Sequence, residues 1–265
     1  MRTSLLIFLG LLVFAPLDFA LAQRNDRLTP IQQEIEKQKQ RLSSAEPEER
    51  RDALMRLGNL HRADASRVAA VALNDTVPSV RVAAAHAIVY GSPDEAAGLL
   101  MPMLQDKSEF IRREAAYALG KTHSHSAASA LVNLLEADKE MSVRAAAAIA
   151  LGEIGDEASV SPLVSVLSAG AENKKSKRRS DPFVMRAAVR SLGQIGSRSS
   201  VAPLVDVLGN ESNDPDVRRE AAKALGLIGD PSAIPALRAA LSSSDQYLSE
   251  AAREALRRMH VSAKS

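Results

Sequence analysis

The chain has 265 residues, with Lys+Arg 34 against Asp+Glu 32, a formal net charge of +2, no Cys and no Trp. Hydrophobic residues make up 46% and aromatics 3%, enough apolar side chain to bury a core that Ala, Leu, Val and Ile must fill almost without rings. Near-neutral charge argues against a general polyanion binder, and the lack of cysteine excludes disulfides, thiolate metal sites and cysteine nucleophiles.

Residues 1–22 place Arg2 before an apolar run from Leu5 to Pro16 and close on Ala20 and Ala22 flanking Leu21. That order of charge, apolar run and small-x-small is a secretory signal, with cleavage expected after Ala22. Asp18 interrupts the run short of spanning length, and an uncleaved anchor is the alternative reading. Without residues 1–22 the net charge stays at +2, so the expected mature protein is exported, soluble and free of a membrane span. Residues 23–46 form a polar segment in which Thr29 and Pro30 suit the start of a helix carrying Ile31, Ile35 and Leu42. A capping first helix and a loose tether both remain open for it.

From residue 47 to 260 the chain repeats itself. VRVAAAHAIV (Val80 to Val89), IRREAAYALG (Ile111 to Gly120), VRAAAAIALG (Val143 to Gly152), VMRAAVRSLG (Val184 to Gly193) and VRREAAKALG (Val217 to Gly226) are copies of one pattern. Glu49 to Gly58 and Leu248 to Arg257 are weaker copies, and the steps between copies are 31, 31, 32, 41, 33 and 31 residues. Apolar residues at the first, fifth, eighth and ninth places predict a helix with one buried stripe. The glycine at place ten suits the end of that helix or a crowded turn. Second apolar segments lie between the copies, with Pro162, Pro203 and Pro235 in their first turns. The chain therefore reads as six to seven helical hairpins, none able to bury its apolar face alone, stacked into an all-α, right-handed solenoid. Leu248, Ala252, Ala255 and Leu256 would face inward on the last helix, with residues 261–265 as a tail.

These copies resemble the HEAT-like repeats first associated with phycobilisome bilin lyases, and HEAT scaffolds more broadly. The resemblance implies that the VR-type helix is the second of each pair and lines a concave face. It also implies a ladder in which the arginine bonds an aspartate in the turn before it. Arg81, Arg112 and Arg144 each have an aspartate six residues earlier, at Asp75, Asp106 and Asp138, and Arg218 has Asp214 four earlier. Met185 takes the arginine's place in the fifth copy, where the ladder should weaken.

No catalytic constellation stands out. His123 and His125 alternate in a turn without neighbouring carboxylates, a solvated turn in preference to a metal site. No histidine is followed by Glu, unlike the His-Glu pairs of HEAT-like iron hydroxylases of the deoxyhypusine type. There is no GxSxG or phosphate-binding loop, and GEIG, GQIG and GLIG are repeat turns. No cofactor is expected.

Two surfaces suit binding. The long step carries an insertion at 169–180 with Lys174, Lys175, Lys177, Arg178 and Arg179, either a solvated loop or an electrostatic tether to an acidic protein or anionic surface. It has no interleaved aromatics, which argues against single-stranded nucleic acid. The other is the helix face opposite the core, formed by the third and seventh places of each copy. There Arg113, His86, Tyr117 and Ile149 precede a basic stretch of Arg186, Arg190, Arg219 and Lys223, fit for a peptide with apolar and acidic parts. The sequence thus points to an exported, non-enzymatic scaffold that binds an unidentified protein. A bilin-lyase-like enzyme is the alternative that the resemblance raises.

Overall fold

A computed structural model describes residues 28–167 and 181–260. The signal at 1–22, the insertion at 169–180 and the tail at 261–265 lie outside these residues. The described residues hold fourteen α-helices and no strand. In chain order these are α1 (Pro30–Arg41), α2 (Pro47–Asn59), α3 (Ala63–Ala69), α4 (Pro78–Ala87), α5 (Pro93–Leu100), α6 (Glu109–Thr122) and α7 (Ala128–Ala137). They continue as α8 (Met141–Ile154), α9 (Val160–Leu167), α10 (Pro182–Ile195), α11 (Val201–Gly209), α12 (Pro215–Ile228), α13 (Ile234–Ala240) and α14 (Gln246–Arg258). Successive helices pair into seven hairpins. One continuous core runs through them all, from Ile35 to Leu256.

The polar segment supplies α1. Thr29 and Gln32 form a capping box, Ile35 and Gln38 are buried, and Ile31 stays exposed. Arg41 reaches Asp52 at 2.6 Å and so ties α1 to α2.

Glycine does two different jobs at the ends of the VR-type helices. Gly155, Gly196 and Gly229 end α8, α10 and α12 at φ 74, 75 and 71°, the left-handed cap that glycine adopts without a Cβ penalty. His123 takes the same place after α6 at φ 54°, and its Nδ1 lies 2.8 Å from the Glu153 carbonyl. The place-ten glycines, expected to end the helix or occupy a turn, instead lie inside it. A Cβ on Gly120, Gly193 or Gly226 would stand 2.8, 2.8 and 2.7 Å from the Cα of Ala150, Ala224 and Ala255. These are the crossing points of successive second helices, where only a bare backbone fits. The alanine pairs Ala115/Ala116, Ala147/Ala148 and Ala221/Ala222 are fully buried along the same helices. Neighbouring first helices touch far less. A stack with one layer more closely spaced bends toward that layer, so the second helices lie on the inner side.

The arginine ladder is present but runs between hairpins, not within one as the resemblance implied. Each arginine gives one nitrogen to carbonyls of its own turn: Arg81 Nη1 to Asp75 O at 2.8 Å, Arg112 Nη1 to Asp106 O at 2.9 Å, Arg144 Nη1 to Asp138 O at 3.0 Å. For Arg81 and Arg112 the carboxylate belongs to the next hairpin. Arg112 binds Asp138 with two bonds of 2.7 and 3.0 Å, and Arg81 reaches Asp106 at 3.2 Å. Arg50 holds Asp75 in the same bidentate way, at 2.7 and 2.9 Å. The physical reason lies in the turn. Each aspartate accepts the N–H two residues on, as Asp75 does from Val77 at 2.8 Å and Asp138 from Glu140 at 2.9 Å, and its remaining lone pairs are met by the preceding repeat. At Met185, buried in the core, there is no cation to continue the pattern. Beyond it Asp214 caps α12 through the Asp216 N–H, Arg218 bonds the Leu208 carbonyl at 3.0 Å, and Arg219 binds Asp245 at 2.9 and 3.1 Å.

Gly226→Ala is expected to lower the melting temperature, because overpacking of about 1–3 kcal/mol exceeds the ~1 kcal/mol gain in helix propensity. Gly98→Ala, at a helical site with no atom within 4 Å of the added Cβ, should raise it. Thermal melts of both variants test the crossing-point assignment.

The ladder also sets the acid response. Hydrogen bonds from Arg50 and Arg219 hold the Asp75 and Asp245 carboxyls below their ordinary range. For Asp138, burial pushes upward but the bonds from Arg112 and the Glu140 N–H outweigh it. Folded values below the unfolded ~3.9 contribute stability that is present above that pH and is lost as pH falls through the folded values. The ladder's contribution to melting temperature should therefore hold steady down to about pH 5 and be lost below about pH 4. Asp138→Asn should lower it at pH 7 and flatten the acid drop.

Candidate functional site

The third and seventh places of the second helices do not form one open face. Val82 and Ala145 are buried, and Tyr117 and Ile149 are half-buried and packed on the core. The apolar stretch expected around His86, Tyr117 and Ile149 is therefore largely part of the packing. His86 remains half-exposed, its Nε2 3.2 Å from Glu114. Burial pushes its imidazole below the usual value against the pull of that carboxylate, which leaves it neutral at pH 7.

The open apolar surface lies further toward the N-terminus. Met55, Val82, His86, Tyr90 and Phe110 line a groove of about 530 Å³ across α2, α4 and α6, together with Arg51 and Lys121. Both rings are braced by residues that do not line the groove. His61, at φ 51°, stacks on Tyr90 with ring centres 4.3 Å apart, and the Arg113 guanidinium sits 5.2 Å from the Phe110 ring centre.

The expected basic stretch divides by partner. Arg219 is a ladder residue, held by Asp245 and by Asp216 at 2.6 Å. Arg186 lies over Phe183 at 5.8 Å and 4.0 Å from Asp216, and Lys223 is 3.6 Å from Glu220. Arg113 pairs with Glu114 at 3.0 Å. Arg190 is exposed and, among the described residues, has no carboxylate within ion-pair distance. The Lys174 to Arg179 loop lies outside the described residues.

Phe110, Phe183 and Tyr247 were not singled out from the sequence. Each stands one residue ahead of a copy, in alternate hairpins, with Ser79, Ser142 and Asp216 in the hairpins between. All three rings are exposed and each carries an arginine over its face, at 5.2, 5.8 and 5.1 Å for Arg113, Arg186 and Arg219. Extending the repeat column one place upstream would have found them. His125 lies 3.5 Å from Asp156, and among the described residues no three His, Asp or Glu side chains converge in a way that would hold a metal. No described helix is long and apolar enough to cross a membrane.

Helical hairpins stacked about a shared core and laced by arginines define a helical-repeat solenoid. The sequence pattern of HEAT repeats matches residues 70–140, 99–174 and 174–257, and the chain belongs to the HEAT-repeat family. Among solved structures it is similar to YibA of Escherichia coli, at 18% identity over 94% of this chain and 98% of that one, TM-score 0.54. It is also similar to the CpcE and CpcF complex of phycocyanin lyase from Nostoc, at 23% identity over 98% and 95% of the two chains, TM-score 0.51. At these identities the likeness is one of fold alone. No curated protein sequence matches the chain.

Arg190→Glu is expected to leave the stability within about 0.5 kcal/mol of the parent, as for an exposed residue with no carboxylate partner among the described residues. Tyr117→Ala should destabilise by roughly 2 kcal/mol through lost packing. Equal, negligible shifts for both would return Tyr117 to the open surface.

Proposed function

We propose that the chain is an exported, non-enzymatic scaffold that binds or assembles proteins through the exposed face of its second helices. The observation that carries this reading is the row of arginine-covered rings, Phe110, Phe183 and Tyr247, set on alternate hairpins of a stack locked by the ladder. Tyr, Phe and Arg are the residue types enriched at protein interfaces, and rigid presentation lowers the entropy lost on binding. Arg190, which has no carboxylate partner among the described residues, lies on the α10 member of the same row and favours an acidic contact. Export rests on the sequence of residues 1–22. The bilin-lyase-like alternative draws on fold alone, which does not carry chemistry; a bound visible absorbance after incubation with a linear tetrapyrrole would favour it.

Cross-linked capture of the exported protein, followed by mass spectrometry, tests the scaffold reading. Phe183→Ala combined with Arg190→Glu should reduce recovery of specific partners about tenfold with melting temperature unchanged. Undiminished recovery would place binding elsewhere on the molecule.

A further inference from the structure

The groove across α2, α4 and α6 has a chemistry of its own within the scaffold face. Its walls are apolar and aromatic, and its only ionisable groups besides His86 and Tyr90 are the cations Arg51 and Lys121. No carboxylate lines it. Glu114, the acid nearest to His86 at 3.2 Å, is already paired with Arg113 at 3.0 Å. Arg51 has an exposed partner in Glu48 at 2.8 Å, a pair of the kind worth little in water. Lys121 is exposed and, among the described residues, meets no carboxylate within ion-pair distance.

The aromatic walls are set in advance. Tyr90 is backed by His61 and Phe110 by Arg113, so an incoming apolar group meets rings already ordered by neighbours outside the groove. A volume of about 530 Å³ falls within the ~300–1,000 Å³ of small-ligand sites. It holds one or two large side chains of a peptide.

We infer that this groove is a docking site for an acidic-apolar peptide segment of a partner protein, with its apolar side chains lying along the groove that Tyr90 and Phe110 both line and a flanking carboxylate on Lys121. The inference rests on the scaffold reading and assigns the partner chemistry at one end of its face. The surplus of cations with apolar walls selects the occupant: a basic segment is repelled, and a purely polar one leaves the rings unfilled.

Fluorescence anisotropy with the full chain and a short labelled peptide, a Phe-Leu pair set between glutamates, tests it directly. Saturable binding below about 100 µM is expected, weakened about tenfold by Lys121→Glu, by Tyr90→Ala, or by serines in place of Phe-Leu. Replacing the glutamates with lysines should abolish it. Circular dichroism melts confirm that both variants fold. Absence of binding, equal affinity for the lysine peptide, or affinity unchanged in both variants would overturn the assignment. Saturable binding of a long-chain carboxylate in place of the peptide would also overturn it. Partner capture lost on Phe183→Ala/Arg190→Glu but retained on Lys121→Glu leaves the scaffold reading standing while removing the groove. Capture unaffected by every variant removes both the groove and the second-helix face and places binding elsewhere on the molecule.

Discussion

Successive second helices come so close that no side chain fits between them at their crossing points. Gly120, Gly193 and Gly226 meet the backbone of the next helix at Ala150, Ala224 and Ala255, and most of the architecture follows from that contact. Close axes require small residues along the shared strip, which is where the paired alanines lie fully buried. They also leave the first helices further apart, so the larger leucines fill the wedge between the layers: Leu131, Leu163, Leu204 and Leu237 are all completely covered. Because one layer is tight and the other open, the stack bends, and the face beyond the second helices becomes the inner surface available to a partner.

The ladder of arginines fixes how one hairpin sits on the next. A guanidinium has enough donors to satisfy carbonyls in its own turn and a carboxylate in the following turn at once, so Arg50, Arg81 and Arg112 each span a joint. The arrangement changes register at the insertion. Before it, the arginines stand at place two and the aspartates five residues ahead of the copy; after it, Arg219 works from place three and Asp181, Asp214 and Asp245 stand three residues ahead, each capping its helix directly. Met185 marks the break. A second series of contacts laces the opposite turns, through Asp94 with Ser124, Glu157 with Ser197 and Arg198 with Asp230. With both edges pinned, the exposed rings are held at fixed separations, a requirement for a surface that binds by shape.

Repeat spacing and the inward stripe were legible because a helix translates sequence period directly into facing, while the identity of the first and second helices came from the resemblance to HEAT-like repeats. The Gly-x-x-Gly motif was legible as punctuation, but the roles of its two glycines were not. One needs a positive φ and the other needs an absent Cβ, and both requirements select the same residue. The ladder residues were visible, whereas their partners were misassigned, since spacing along the chain gives the distance within a hairpin and says nothing of the distance across a joint. The candidate surface was half legible. Arg190 and Lys223 are exposed as their phase requires, but Val82, Ala145, Tyr117 and Ile149 occupy equivalent phases and are covered in whole or in part.

The difference has one physical cause. Sequence by itself determined much that is local: which residues turn into helices, which stripe is apolar, and that hairpins of this length must stack to bury it. Only the tertiary structure decided what depends on the approach of one repeat to the next. It made a mid-helix glycine a crossing point, sent an arginine to the following hairpin's aspartate, and turned Arg219 from a free cation into a brace. It also opened the groove that Tyr90 and Phe110 both line, because these residues reach one groove only after separate helices have been packed side by side.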